Sequence, residues 1–190
     1  MTRLDSRAPL VLDTRELGRR PGSQRQVSRT EWAPTGLTID MLGVPEDSEL
    51  ALDLRLEAVM EGVLVTGTVR VQVEGQCVRC LGGLDDSLVV DLLELYAYDD
   101  HGVEDDDVSQ LEGDLIDLQP AVRDAVVLAL PFNPTCRPDC PGLCPSCGAR
   151  LADDPGHTHA EEVDPRWVVL HQMVAEADQG KPAHPGPEKE

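Results

Sequence analysis

The sequence predicts an α+β fold, an antiparallel β-sheet with a few helices and a cysteine-rich zinc-knuckle segment. Three patterns predict it. Apolar and polar residues alternate through residues 50–73, an apolar stripe at helical spacing occupies residues 118–129, and four cysteines crowd residues 136–147. Period two marks a half-buried strand, and spacings of three and four mark one face of a helix. Thiols at such short separations mark metal ligation.

In chain order, Leu10-Val11-Leu12-Asp13 reads as a short strand. Arg15 to Ser28 contains glycine, proline, glutamine and serine with little periodicity, and reads as a loop or mobile arm. A hairpin is the clearest local structure. Leu50, Leu52, Leu54, Leu56 and Ala58 alternate with Ala51, Asp53, Arg55 and Glu57. After Glu61-Gly62 the alternation resumes, with Val63, Val65, Gly67, Val69, Val71 and Val73 on one face and Thr66, Thr68, Arg70, Gln72 and Glu74 on the other. The second strand runs into Cys77-Val78-Arg79-Cys80, so this cysteine pair sits at a strand end, before the Leu81-Gly82-Gly83 turn. Ser87 to Ala97 reads as a third strand.

Asp99 to Asp107 carries six carboxylates but lacks the ligand spacing and closing glutamate of a calcium hand, so it reads as a solvated loop. Asp117 is placed to cap a helix whose first turn tolerates Pro120. Leu118, Val122, Ala125, Val126 and Ala129 form its apolar stripe, and Pro131 and Pro134 end it near Leu130, just before Cys136. Asp164-Pro165 opens a short helix through Trp167, Val168, Leu170, His171 and Val174. The organisation predicted for the 190 residues is a basic, partly flexible arm over 1–30, one domain over 31–178 and a disordered tail over 179–190.

Aromatic residues make up only 3% of the chain, so the core must come from Leu, Val and Ala. A structural metal would offset such a thin core, because binding it is coupled to folding. The opening residues, MTRLDSRAPLVLDTREL, show no signal peptide, and no stretch approaches a membrane span. A cytoplasmic location is the expectation, where thiols stay reduced and metal ligation is favoured over disulfides.

The net charge of −20 is uneven. Residues 1–30 hold seven arginines against three acids, a balance of +4, and the remaining residues sum to −24. An acidic body repels phosphate backbones and suits basic protein partners. Arg15, Arg19, Arg20, Arg25 and Arg29 of the arm are the candidates for contact with RNA, with Arg79 a further one beside the sheet.

Cys144-Pro145-Ser146-Cys147-Gly148 has the form of a rubredoxin-type knuckle, in which proline shapes the turn and glycine lets N–H groups point at thiolate sulfur. One tightly bound Zn2+ per chain is expected. One ligand set is Cys136, Cys140, Cys144 and Cys147; the alternative is a split ribbon joining Cys77 and Cys80 to Cys144 and Cys147. His157 and His159 either complete a second site with Cys77 and Cys80 or lie in an exposed polar loop. A site closed by four thiolates leaves no position for water or substrate and is structural. The chain carries no HExxH, GxSxG, GxxxxGK[ST] or GxGxxG, and is expected not to be an enzyme.

The strand ending in Cys77-Val78-Arg79-Cys80-Leu81 resembles the CxRC segment of YceD-like proteins, named for large ribosomal RNA subunit accumulation. The resemblance continues, in order, through Ile116-Asp117-Leu118-Gln119-Pro120, Leu128-Ala129-Leu130-Pro131, Cys140-Pro141-Gly142-Leu143-Cys144-Pro145-Ser146-Cys147-Gly148 and Asp164-Pro165-Arg166-Trp167. It covers roughly residues 50–175 and implies a bacterial cytosolic protein, needed for normal accumulation of large-subunit ribosomal RNA, with no known catalytic residues. Plastid relatives are linked to processing of that RNA. Many relatives carry another cysteine pair after the CPxCG turn, where this chain has His157 and His159.

The leading expectation is therefore a ribosome-biogenesis factor that binds pre-ribosomal RNA, a basic ribosomal protein, or both. The alternative is a zinc-stapled adaptor for proteins with no RNA contact. A third class, a hydrolase using the carboxylates of Asp105 to Asp107 with a divalent ion, would need turnover dependent on those residues. Neither a membrane nor a small-molecule substrate is implied.

Overall fold

The computed structural model describes residues 4–98, 109–159, 166–170 and 173–174. Its centre is a six-stranded antiparallel sheet. The hairpin expected from the alternation is present as β5 (Glu49–Ala58) and β6 (Gly62–Gln76), with the third strand, β7 (Gly83–Ala97), on the other side of β6. Leu50, Leu52, Leu54 and Leu56 and the valines of β6 are buried, and Val69 lies in register between Leu52 and Val90. The inward face of these strands is a dry layer of Leu and Val, which the composition requires.

The first sheet edge departs from the sequence reading. Gln24–Trp32 is a nine-residue strand, β2, paired antiparallel with β5, not a loop or mobile arm. Its facing row, Arg25, Val27, Arg29 and Glu31, sits opposite Leu56, Leu54, Leu52 and Leu50. Only Val27 of that row is buried. An edge strand tolerates charge on its inner face, and such charge discourages pairing with another chain. Apart from Val27 and the terminal Trp32, both faces of β2 are therefore polar, which leaves no period-two signal.

The short strands β3 (Thr38–Ile39) and β4 (Leu42–Gly43) extend the sheet beyond β5, with β4 paired to residues 74–75 of β6. The expected strand at residues 10–13 is β1 (Val11–Asp13), which pairs with β8 (Leu115–Asp117) in a separate two-stranded ribbon. Helix α1 (Gln119–Ala129) packs on β7 and buries Val122 and Val126. It begins one residue later than expected. Leu118 holds the cap position, and the Asp117 carboxylate accepts a hydrogen bond from the Gln119 N–H at 2.9 Å. Ribbon, helix and sheet share one core.

Residues 168–170 and 173–174 are helical, as expected, whereas the cap at Asp164-Pro165 lies outside the described residues. So do the acidic loop over 99–107 and the tail over 179–190. Among the described residues no helix is long and apolar enough to cross a membrane.

Candidate metal centre

The end of β6 builds the first half of the site. The chain leaves the strand at Gln76 and turns at once. The Cys77 N–H donates to the Gly82 carbonyl and the Leu81 N–H to the Cys77 carbonyl, both at 2.8 Å. Leu81 takes a left-handed conformation, φ 54°, to close this turn. The turn holds Cys77, which is fully buried, and Cys80 side by side.

The second half comes from the segment after α1. Pro131 and Pro134 prevent the helix from continuing, and the Pro134 carbonyl accepts a 2.9 Å hydrogen bond from the Val78 N–H. That bond pins the segment to the strand end. Arg79 then reaches across, donating from Nη1 to the carbonyls of Pro138 and Cys140, each at 3.2 Å. Cys136 and Cys140 are thereby carried to Cys77 and Cys80. The structure gives Arg79 this clamping position, where the sequence suggests RNA contact.

The four sulfurs of Cys77, Cys80, Cys136 and Cys140 all lie within 4.8 Å of one another. Sulfurs about 2.3 Å from a tetrahedral zinc ion are separated by edges of about 3.8 Å. Cys77 and Cys140 are 3.8 Å apart, as are Cys80 and Cys136. All six cysteines carry free thiols. The residues fit a closed tetrathiolate zinc site.

Electrostatics agree with the geometry. The Cys77 thiol is lowered to about 6, chiefly by the Cys136 backbone N–H and further by those of Cys80 and Arg79, against burial. The Cys136 thiol is pushed up to about 12, first by its hydrogen bond with the Cys140 side chain and then by burial. Four thiols so close cannot all ionise by themselves, and a divalent ion at their centre allows it.

Cys144 and Cys147 belong to a second group, with His157 and His159. The expected set Cys136, Cys140, Cys144 and Cys147 is therefore not brought together, and neither is the split ribbon of Cys77 and Cys80 with Cys144 and Cys147. The pairing of His157 and His159 with Cys77 and Cys80 is also not formed, although the two histidines do join a cysteine pair. The physical reason is local. The knuckle at 144–148 closes on itself, the Cys144 N–H donating to the Ala149 carbonyl and the Gly148 N–H to the Cys144 carbonyl, both at 2.8 Å. Burial pushes the Cys144 thiol up, but hydrogen bonds from the N–H groups of Cys147 and Ser146 and from the Cys147 and His157 side chains outweigh it, to about 6.

Between the two groups lies Gly142, at φ 80°, where an added Cβ would stand 3.0 Å from the Arg79 carbonyl. Gly142→Ala is expected to lose about 1–2 kcal/mol from the left-handed backbone alone, plus the displacement of Arg79. At Gly148, φ 73°, an added Cβ meets nothing within 4 Å, so alanine there bears the backbone term only. Denaturant midpoints of the two variants compare the sites directly. Equal shifts would show that the Arg79 approach is unimportant.

With both groups of donors placed, sequence comparison decides the relationship. A family model described as "Large ribosomal RNA subunit accumulation protein YceD" matches residues 65–174. The chain belongs to the YceD family. That match takes in all six cysteines and both histidines of the second group. Uncharacterized proteins of Mycobacterium bovis and Mycobacterium tuberculosis are each 45% identical over 171 residues, covering 88% of this chain and 82% of theirs. A Mycobacterium leprae relative is 39% identical over 172 residues, covering 88% of this chain and 79% of its own. No solved structure matches. The YceD description points to large-subunit ribosomal RNA accumulation as the setting in which this chain acts.

The arginines expected to face RNA each have different local neighbours. Arg15 lies 3.4 Å from Asp13 and 3.6 Å from Asp114, Arg25 lies 3.3 Å from Glu16, and Arg29 lies 3.4 Å from Glu31. The Arg19 guanidinium sits 4.7 Å above the Tyr98 ring, and Arg20 is exposed.

Proposed function

We propose that this chain is a cytoplasmic ribosome-biogenesis factor that supports accumulation or processing of large-subunit ribosomal RNA without catalysing a reaction itself. The family match over residues 65–174 carries the reading. In it, zinc held by Cys77, Cys80, Cys136 and Cys140 fastens the post-helix segment to the end of the sheet. Four thiolates fill the coordination sphere, so the ion organises the fold and binds no substrate.

Arg15, Arg19, Arg20, Arg25 and Arg29 are the RNA-facing charges in this proposal. Three of them already sit beside carboxylates. These pairs are partly to largely exposed and contribute little, so phosphate can displace the carboxylates. The same pairs favour a second route, in which the acidic body meets a basic ribosomal protein and the arginines only balance local charge.

Deleting residues 1–30 would remove most of β2 and so disturb the sheet. Charge removal is the cleaner experiment. Changing all five arginines to glutamine should weaken binding to large-subunit RNA fragments in a gel-shift titration. It should also flatten the salt dependence, by about 0.7 in log–log slope for each single-strand phosphate that is no longer neutralised. Unchanged affinity and slope would remove these arginines from the interface. Nuclease-resistant capture of basic ribosomal proteins, with no RNA shift for the unaltered chain, would select the second route.

A further inference from the structure

Cys144, Cys147, His157 and His159 form a group of metal-binding side chains separate from the tetrathiolate group. We infer that they are a second, Cys2His2 zinc site, so that each chain holds two ions and the second one folds the segment from 143 to 159.

The contacts are those of ligands converging on one point. Cys147 Sγ is 3.1 Å from His157 Nε2 and 3.3 Å from His159 Nε2, and the two Nε2 atoms are 2.9 Å apart. Three atoms in such a triangle cannot hydrogen-bond in a ring, because each imidazole Nε2 carries either a proton or a lone pair and cannot both donate and accept. A cation in the middle engages every lone pair at once. Tetrahedral zinc with nitrogen and sulfur ligands requires edges of about 3.3 Å between nitrogens and about 3.6 Å between nitrogen and sulfur, and the observed edges lie within about 0.5 Å of these. Two sulfurs and two imidazoles in a tetrahedral arrangement favour zinc among the common divalent ions.

The surroundings point the same way. His157 directs Nε2 to the group and Nδ1 toward Asp154, whose carboxylate is 3.7 Å away. A carboxylate behind a ligating imidazole orients the ring. Between the knuckle and His159 the backbone shows only turns and one bridge, Leu143 with Arg150. Leu143 and Leu151 are only partly buried. Within this segment, Leu143 packs against the buried cluster of Cys77, Cys80 and Cys140, and beyond Leu143 no residue of the segment joins a described hydrophobic cluster, yet the four donors meet. An ion whose binding is coupled to folding supplies what the core does not.

Native mass spectrometry of the full chain, purified reduced and without chelator, should count two zinc ions. The paired change His157→Asn with His159→Asn should leave one, with the sheet's melting transition retained. His159→Cys, which keeps a ligand, should restore two. Cobalt substitution provides a second readout, since the histidine variant should lose the spectrum of a mixed sulfur–nitrogen site and keep that of four thiolates. A count of one ion in the unaltered chain, or a count that does not fall in the paired histidine variant, overturns the inference.

Discussion

Val69→Asp yields no folded protein. The residue is fully buried, and it sits opposite Leu52 on one side and Val90 on the other, in the middle strand of the sheet. Among the described residues, its register partners on both sides are apolar and offer a carboxylate no partner. Whether the group enters charged or first takes up a proton, its burial costs several kcal/mol. That is comparable with the entire stability of a domain, about 5–15 kcal/mol. A graded version keeps the test quantitative. Val69→Thr preserves the shape and buries one hydroxyl, and should cost about 1–3 kcal/mol in denaturant unfolding. Gln72 lies on the outer face of the same strand and is exposed. Replacing it with glutamate should move stability by no more than about 0.5 kcal/mol. Similar tolerance at 69 and 72 would mean that the faces of β6 are assigned the wrong way round.

Cys77→Ser loses the tetrathiolate ion. Cys77 is fully buried at the end of β6, and its sulfur is 3.8 Å from that of Cys140. Serine offers a poor ligand to a soft site and leaves three crowded thiols that cannot all ionise. The post-helix segment then keeps the Val78 and Arg79 hydrogen bonds to the sheet end but loses the ion that joins the two halves. Metal content should fall by one ion per chain, and the melting temperature should drop by roughly 10 °C or more, because metal binding here is folding free energy. Cys136→Ser should do the same, whereas the Cys2His2 group should be unaffected by either change. Elemental analysis of the two variants checks this. Unchanged zinc in both would remove this group from the metal sites of the chain.

The two variants probe levels of structure that the sequence reveals unequally. Alternation in β5, β6 and β7 and the stripe of α1 are local. Each element buries one face, so period and partner chemistry can be read directly from the residues. The turns around Cys77 and Cys144 are equally local, since proline, glycine and the CxxC spacing shape them wherever they sit. The edge strand β2 escaped such a reading because an edge has little to bury. Arg25 and Arg29 occupy inner-face positions that an interior strand would fill with valine or leucine.

Read alone, the residues establish an acidic, sheet-based protein with cysteines spaced for metal and a YceD-like order of motifs. They leave the ligand partition open, because at short spacings almost any four of the donors can satisfy a tetrahedron. The grouping of the donors is set in three dimensions. Pairing of β6 with β7 holds the Cys77–Cys80 turn at the sheet end, and the prolines after α1 bring Cys136 and Cys140 to it. The knuckle of Cys144 and Cys147 closes on itself and meets the histidines instead. Which thiolates share an ion depends on where strands and helix end in space, and that distance is not written in the spacing.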